Sequence, residues 1–211
     1  MIRFCNAFVK ITGWPVQFVC FRTRIFYENI KTSSRKIKGP AIIICNHTSV
    51  FDYAVLLFVF FSRTVRCQMA ELLFEKKPLG TLLKLLGGIR VDRKSHDFGF
   101  VAKSEEILKK GGVVLIFPES RLPLKGEETP LPFVPSVAYL ALSTGVPVIP
   151  VYTNGSYFSK KRACVIIGEK IMPYETVSPE TEERQAVTLL NERFREKIIS
   201  LGKELKEYEE K

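Results

Sequence analysis

The chain has 211 residues, 46% of them hydrophobic and 26% charged. That is enough for one domain of about 150 residues with an appendage, too little for two enzyme domains, and outside the disordered class. The formal net charge is +10, and residues 1–40 hold eight Lys and Arg against Glu28 alone, so seven of the ten net charges sit in that segment. Such asymmetry points to an anionic partner, a phospholipid surface or a nucleic acid.

The first apolar stretch, FCNAFVKITGWPVQFVCF (residues 4–21), is interrupted by Asn6, Lys10, Gln17 and Gly13-Trp14-Pro15. A membrane-spanning helix needs ~20 nearly uninterrupted apolar residues, and a signal peptide needs a small-residue cleavage site, so neither pattern fits. The expectation is two short helices hinged at Gly13 to Pro15 and lying in a membrane interface, with Arg22 and Arg24 among anionic headgroups. An ordinary core-packing helix is the competing reading. For nucleic acid, basic residues should interleave with exposed aromatics on one platform, whereas here they flank an apolar anchor.

Beyond the basic linker ending at Gly39-Pro40, short apolar runs rich in β-branched residues recur: AIIIC (41–45), TVRCQM (64–69), IRV (89–91), VVLIF (113–117), VPVIPVY (146–152) and RACVII (162–167). Helix-like stretches lie between them at 50–61, 98–110 and 135–143. Alternation of this kind predicts an α/β domain with a mixed, largely parallel sheet flanked by helices. The expected division is 1–39 membrane-associating segment and linker, 40–177 α/β domain, and 178–211 a C-terminal amphipathic helix packed on it. Ser178-Pro179-Glu180 reads as the start of that helix. Leu190, Phe194, Ile198, Leu201 and Leu205 mark its apolar face.

The five cysteines form no C-x2-C pair, so neither a disulfide framework nor a zinc site is indicated and reduced thiols are expected. No metal and no resident cofactor are expected. A G-x-S-x-G elbow, a Walker loop and a G-x-G-x-x-G fingerprint are all missing from the sequence, which disfavours serine hydrolases, P-loop enzymes and dinucleotide dehydrogenases.

Four apolar runs end in polar residues: Asn46-His47, Asp92-Arg93, Pro118-Glu119-Ser120-Arg121 and Thr153-Asn154. Ligands of open α/β sheets gather beyond the carboxyl ends of strands, so these tips could form one site. His47, with Asp52 five residues on, suits a general base whose imidazole is oriented by an acid. Asp52 also fits a capping box begun by Ser49, a purely structural role. The pair has no nucleophile of its own, which suggests that the substrate supplies one, such as an alcohol. Arg90, Arg93 and Lys94 surround one tip and Arg121 another, fitting an anionic substrate, although Arg90 and Lys94 read better as a solvated face. Glu119, after five apolar residues and a proline, is a carboxylate that must be paired, with Arg93 or Arg121, or must contact substrate hydroxyls. His96 reads as a solvated loop residue.

These blocks resemble the glycerol-phosphate acyltransferase family, most closely the 1-acyl-glycerol-3-phosphate (lysophosphatidate) acyltransferases. NHTSVFD (46–52) is similar to the family's H-x4-D motif, GGIRVDR (87–93) to G-x-x-x-x-D-R, IFPES-R (116–121) to FPEGTR and VPVIP (146–150) to the fourth block. The resemblance implies that His47 is the general base and that Asp52 orients it. The hydroxyl attacks an acyl thioester, acyl-CoA or acyl-ACP, and Arg93, Glu119 and Arg121 bind the acceptor's phosphate and glycerol. It further implies a lysophospholipid acceptor, phosphatidic acid as product, and association with the cytoplasmic face of a membrane. Two departures bear on the acceptor: Ser120 stands where the family has Gly-Thr, and LPFVPS (131–136) replaces a lysine-containing stretch. Another lysolipid or glycolipid acceptor, or a catalytically silent membrane-binding module, are the alternatives.

Overall fold

The computed structural model describes residues 1–92, 99–178 and 180–210. Its seven strands are β1 (Arg24–Tyr27), β2 (Ala41–Cys45), β3 (Val65–Ala70), β4 (Ile89–Val91), β5 (Val113–Ile116), β6 (Val148–Thr153) and β7 (Cys164–Ile167), in the sheet order β1-β7-β6-β2-β5-β3-β4. All pairings are parallel except β6 with β7, so the sheet is mixed and largely parallel, as the alternation of runs predicts. The helices are α1 (Ile2–Cys20), α2 (Asp52–Val59), α3 (Glu71–Glu75), α4 (Leu79–Leu86), α5 (Gly99–Lys109), α6 (Ser136–Thr144), α7 (Pro173–Thr176) and α8 (Glu183–Glu210).

The middle strand β2 explains the layering. All five of its residues are fully buried, as expected of a parallel strand covered on both faces. Ile43 and Cys45 face a layer containing Val55, Leu56 and Val59 of α2, while Ile42 and Ile44 face Leu108 of α5, Val137 and Leu140 of α6, and Phe194 of α8. The strand therefore has no polar face, and its first polar residues, Asn46 and His47, fall where it leaves the sheet.

The C-terminal apolar repeat is realised in α8: Leu190, Phe194, Ile198, Leu201 and Leu205 are all buried. Gly202 lies against the Tyr152 ring, where a Cβ would come within 2.7 Å of the ring edge. The helix starts later than Ser178-Pro179-Glu180 suggests. Thr181 N–H donates to the Ser178 carbonyl in a turn, and the first bond leading into the helix runs from Ala186 N–H to Glu182.

The N-terminal 39 residues differ from expectation in two respects. Arg24–Tyr27, assigned from sequence to the basic linker, is an edge strand paired with β7, so the sheet begins before residue 40. Residues 2–20 form one helix rather than two, with Pro15 inside it. Proline forfeits a main-chain hydrogen bond and usually kinks a helix, but tertiary contacts hold the segment on either side. Gly13 packs on the Phe58 ring, its would-be Cβ 2.9 Å from Cζ, and the Lys10 ammonium donates to the carbonyls of Phe60, Phe61 and Arg63 at 3.2, 3.1 and 2.6 Å. These carbonyls lie just past the end of α2, at the negative pole of that helix. Helices α3 and α4, between β3 and β4, were not anticipated.

Candidate active site at the carboxyl end of the central strand

In the sheet, β2 lies directly between β5 and β6, so the segments leaving these three strands are neighbours, with His47, Glu119 and Thr153 among them. The tip of β4 lies three strands from β2, ~14 Å at the usual strand spacing. Asp92 is described there; Arg93, Lys94 and His96 lie outside the described residues.

Asn46 extends the β2–β6 ladder with its side chain. Its Oδ1 accepts the Thr153 N–H at 2.8 Å and its Nδ2 donates to the Thr153 carbonyl at 2.9 Å. The next residue, His47, donates its main-chain N–H to Glu119 Oε1 at 2.8 Å, and its ring stacks on Phe117 with centroids 4.2 Å apart. His47 Nδ1 lies 2.8 Å from Asp52 Oδ2. That oxygen also accepts the N–H groups of Thr48 and Ser49 at 2.7 and 2.9 Å. The other oxygen, Oδ1, accepts the Thr48 hydroxyl at 3.0 Å and the Tyr157 phenol at 2.6 Å. Every one of these neighbours can donate, so Asp52, fully buried, acts as the acceptor at both oxygens, with His47 Nδ1 as the donor to it and Nε2 the ring nitrogen turned away from it. Helix α2 begins at Asp52 with Phe51 before it and no side-chain cap bond, so the capping box begun by Ser49 is only half formed; the carboxylate gathers the preceding N–H groups of Thr48 and Ser49 and meets the imidazole with the same oxygen.

Glu119 is buried, and among the described residues its carboxylate partners are main-chain N–H groups. Oε1 accepts from His47 and Oε2 accepts the Leu131 N–H at 2.7 Å. Burial pushes its carboxyl above the ordinary range, opposed by these two N–H donors. It ties the His47 main chain to the 118–135 loop. Arg121 forms a two-pronged ion pair with Glu127, at 2.7 and 2.8 Å, at the surface of that loop. Ser120, between Glu119 and Arg121, has φ +58°, the left-handed region that glycine adopts without strain, which accounts physically for glycine being usual at this turn in the motif it resembles.

Three contributors were missed from sequence. Thr48 and Tyr157 donate to Asp52, and Gly155 (φ +66°) lets the loop after β6 approach, since a Cβ there would lie 2.5 Å from Thr48 Oγ1. The available signal was Asn154-Gly155, a turn pair, with an aromatic residue two positions later at a strand tip. Asn154, expected in the site, organises that turn: its Oδ1 accepts from Ser156 and Cys164, and its Nδ2 donates to the Arg162 carbonyl.

A buried carboxylate holding an imidazole nitrogen at the carboxyl end of a central parallel strand places the site where α/β enzymes bind their ligands. The family-model comparison then identifies the kind of enzyme. The acyltransferase family model matches residues 24–154, and the chain belongs to that family. Curated relatives include human 1-acyl-sn-glycerol-3-phosphate acyltransferase beta, 28% identical over 154 residues covering 71% of this chain and 54% of the relative. The 1-acyl-sn-glycerol-3-phosphate acyltransferase of Pseudomonas aeruginosa is 31% identical over 160 residues, 73% of this chain and 60% of that one. The chain thus spans a little over half the length of these relatives. The crystal structure of the 1-acyl-sn-glycerophosphate (LPA) acyltransferase PlsC from Thermotoga maritima shares the fold, with a TM-score of 0.66 over 92% of this chain and 80% of that one at 22% identity.

Proposed function

We propose that the protein transfers a fatty acyl group from a thioester, acyl-CoA or acyl-ACP, to the free hydroxyl of a lysophospholipid at the cytoplasmic face of a membrane. The preferred acceptor is 1-acyl-glycerol-3-phosphate, giving phosphatidic acid. The observation that carries this reading is the 2.8 Å contact between His47 Nδ1 and Asp52 Oδ2, within a chain of the acyltransferase family. His47 Nε2 takes the proton of the acceptor hydroxyl as its oxygen attacks the thioester carbonyl. Asp52 stabilises the imidazolium that forms. The tetrahedral intermediate then collapses, the C–S bond breaks, and the thiolate leaves with the proton that His47 returns. Acceptor phosphate binding falls to Arg121, by exchange of its exposed Glu127 partner, and to Arg93. Glu119, whose two oxygens already take main-chain N–H groups, serves the acceptor side by fixing the loop that carries Arg121.

The exterior of α1 supports the membrane part of this reading. Phe4, Phe8, Ile11, Val16, Phe18 and Val19 are each more than half exposed, while Asn6, Lys10 and Gln17 are buried. Soluble surfaces rarely carry such a contiguous apolar stripe, and an acyl chain must stay in the bilayer while its thioester meets His47. No helix among the described residues is long and apolar enough to cross a membrane; the exposed apolar face of α1 supports an interfacial position.

The test is turnover of labelled acyl-CoA and acyl-ACP with a panel of lysolipids. His47→Ala is expected to lower kcat by roughly a thousandfold while leaving vesicle binding intact; unchanged turnover in that variant overturns the mechanism.

A further inference from the structure

Tyr157 belongs to none of the four sequence blocks, yet it makes the shortest contact to Asp52, 2.6 Å from its Oη to Oδ1. The direction of this bond follows from counting protons. Asp52 is an acceptor only, so the single phenolic proton points to it, and the Thr153 hydroxyl, 2.9 Å from the same phenol oxygen, must donate to Tyr157. The result is a directed chain from Thr153 to Tyr157 to Asp52 to His47. Burial, reinforced by the Asp52 charge, holds the phenol well above its ordinary range, so it remains a donor wherever the enzyme works.

We propose that Tyr157 is a positioning residue for the His47–Asp52 pair, acting on the strength of the base through Asp52; this rests on the reading of His47 as the base. Oδ2 of Asp52 is shared among the imidazole and two main-chain N–H groups, which fixes one edge of the carboxylate. Tyr157 and the Thr48 hydroxyl fix the other edge and draw part of the negative charge toward Oδ1. Less charge on Oδ2 means a weaker hold on the imidazolium, and a weaker hold suits a base that must hand its proton on to a leaving thiolate. The ring of Tyr157 is itself set by the membrane-facing helix. Phe21, immediately after α1, meets it edge-on at 5.5 Å and also packs on Phe158 at 5.0 Å. Tyr157 is therefore a direct physical link from the C-terminal end of α1 to the acid of the catalytic pair.

Other titratable groups around the pair are the Glu119 carboxylate, bound to the His47 main chain, and the thiols of Cys45 and Cys67, which burial and then Asp52 keep protonated. A readout specific to His47 is therefore needed, and the chain has only one other histidine, His96. The experiment is proton NMR titration of both imidazoles, with pH profiles of kcat/KM, in the full chain and in Tyr157→Phe. Loss of the phenolic proton should move the His47 titration midpoint to higher pH by about half to one unit, leaving His96 in place. The acid limb of kcat/KM should move with it. At the pH optimum kcat should fall about tenfold with the acyl-donor KM unchanged. Thr153→Val, which removes only the donor to the phenol oxygen, should produce a smaller shift in the same direction, and it supplies the test if Tyr157→Phe proves unstable. An unmoved His47 midpoint overturns the proposal, whether or not activity falls, because a fall without a shift places the phenol's role elsewhere. Equal shifts at His47 and His96 overturn it too, since they report a global change. The NMR measurement needs no turnover, so failure of the general-base reading in His47→Ala is seen separately.

Discussion

The first and last helices are built on opposite rules. Helix α8 buries Leu190, Phe194, Ile198, Leu201 and Leu205 and turns its charges to water, whereas α1 buries Asn6, Lys10 and Gln17 and exposes its phenylalanines. Each of these three buried residues donates to a partner: Asn6 Nδ2 to the Leu86 carbonyl at 2.8 Å, at the end of α4, Lys10 to the three carbonyls beyond α2, and Gln17 to the Thr23 hydroxyl at 2.8 Å. Helix α8 is held to the domain by exclusion of water from apolar surface. By contrast, α1 is held by these hydrogen bonds together with contacts of Val9, Gly13 and Cys20 on the domain, and its phenylalanines stay exposed. The same class of residue, an apolar side chain on a long helix, therefore has a different job at each end of the chain.

Substitutions can break this contrast. On α8, Phe194→Ala empties a fully buried site between sheet and helix and should cost about 3–5 kcal/mol, measured as a lower urea midpoint. On α1 the damaging change is at a polar residue. Lys10→Met leaves the carbonyls of Phe60, Phe61 and Arg63 without their shared donor and should cost about 1–3 kcal/mol. The matching change at the exposed Lys203 of α8 should stay within about 0.5 kcal/mol.

The buried ammonium adds a pH signature. Burial lowers Lys10 from its ordinary value to about 8. Between that pH and the unfolded value near 10.5, the unfolded chain keeps a proton that the folded chain has released, so folding becomes more favourable as pH rises. Urea unfolding at pH 7.5 and 9.5 should show the wild type gaining on Lys10→Met at the higher pH; a constant difference would mean that Lys10 stays charged in the fold. Smallest in its effect on folding is Phe8→Ala, expected within about 0.5 kcal/mol in water. The same substitution should weaken sedimentation with phospholipid vesicles, and if it lowers stability as Phe194→Ala does, the exposed face of α1 is packed core instead.

Much of the fold is legible in local pattern. Strands β2, β5, β6 and β7 announce themselves as apolar runs because they are buried almost throughout, whereas β3 and β4 show through fewer apolar residues, with Arg66, Gln68 and Arg90 at less buried positions. Helix α8 is equally visible because water on one side and core on the other impose a helical period. Strand β1 is not, since Arg24–Tyr27 lies at a sheet edge where only one neighbour and partial burial constrain its residues. The continuation of α1 through Pro15 is likewise invisible, because the contacts that hold the segment are to Phe58 and to the carbonyls beyond α2, some fifty residues away. In the site, His47 and Asp52 are readable because both sit within one turn and its helix. Tyr157 is not, since its partner is 105 residues distant, and the pairing exists only because β6 lies beside β2.

By itself, the sequence determined the α/β class, the burial of the strands, the amphipathic last helix and the local turn that brings an imidazole to a carboxylate. Each of these depends on interactions within a few residues or on a period that one element carries alone. The strand order decided the rest: which tips meet, and that Glu119 grips the His47 main chain. It also decided that the interruptions in the first helix, Asn6, Lys10 and Gln17, are its attachment to the protein. A polar residue's role depends on which donor or acceptor reaches it, and for Asn6, Lys10 and Glu119 those partners come from distant segments that only the assembled sheet and its covering helices bring together.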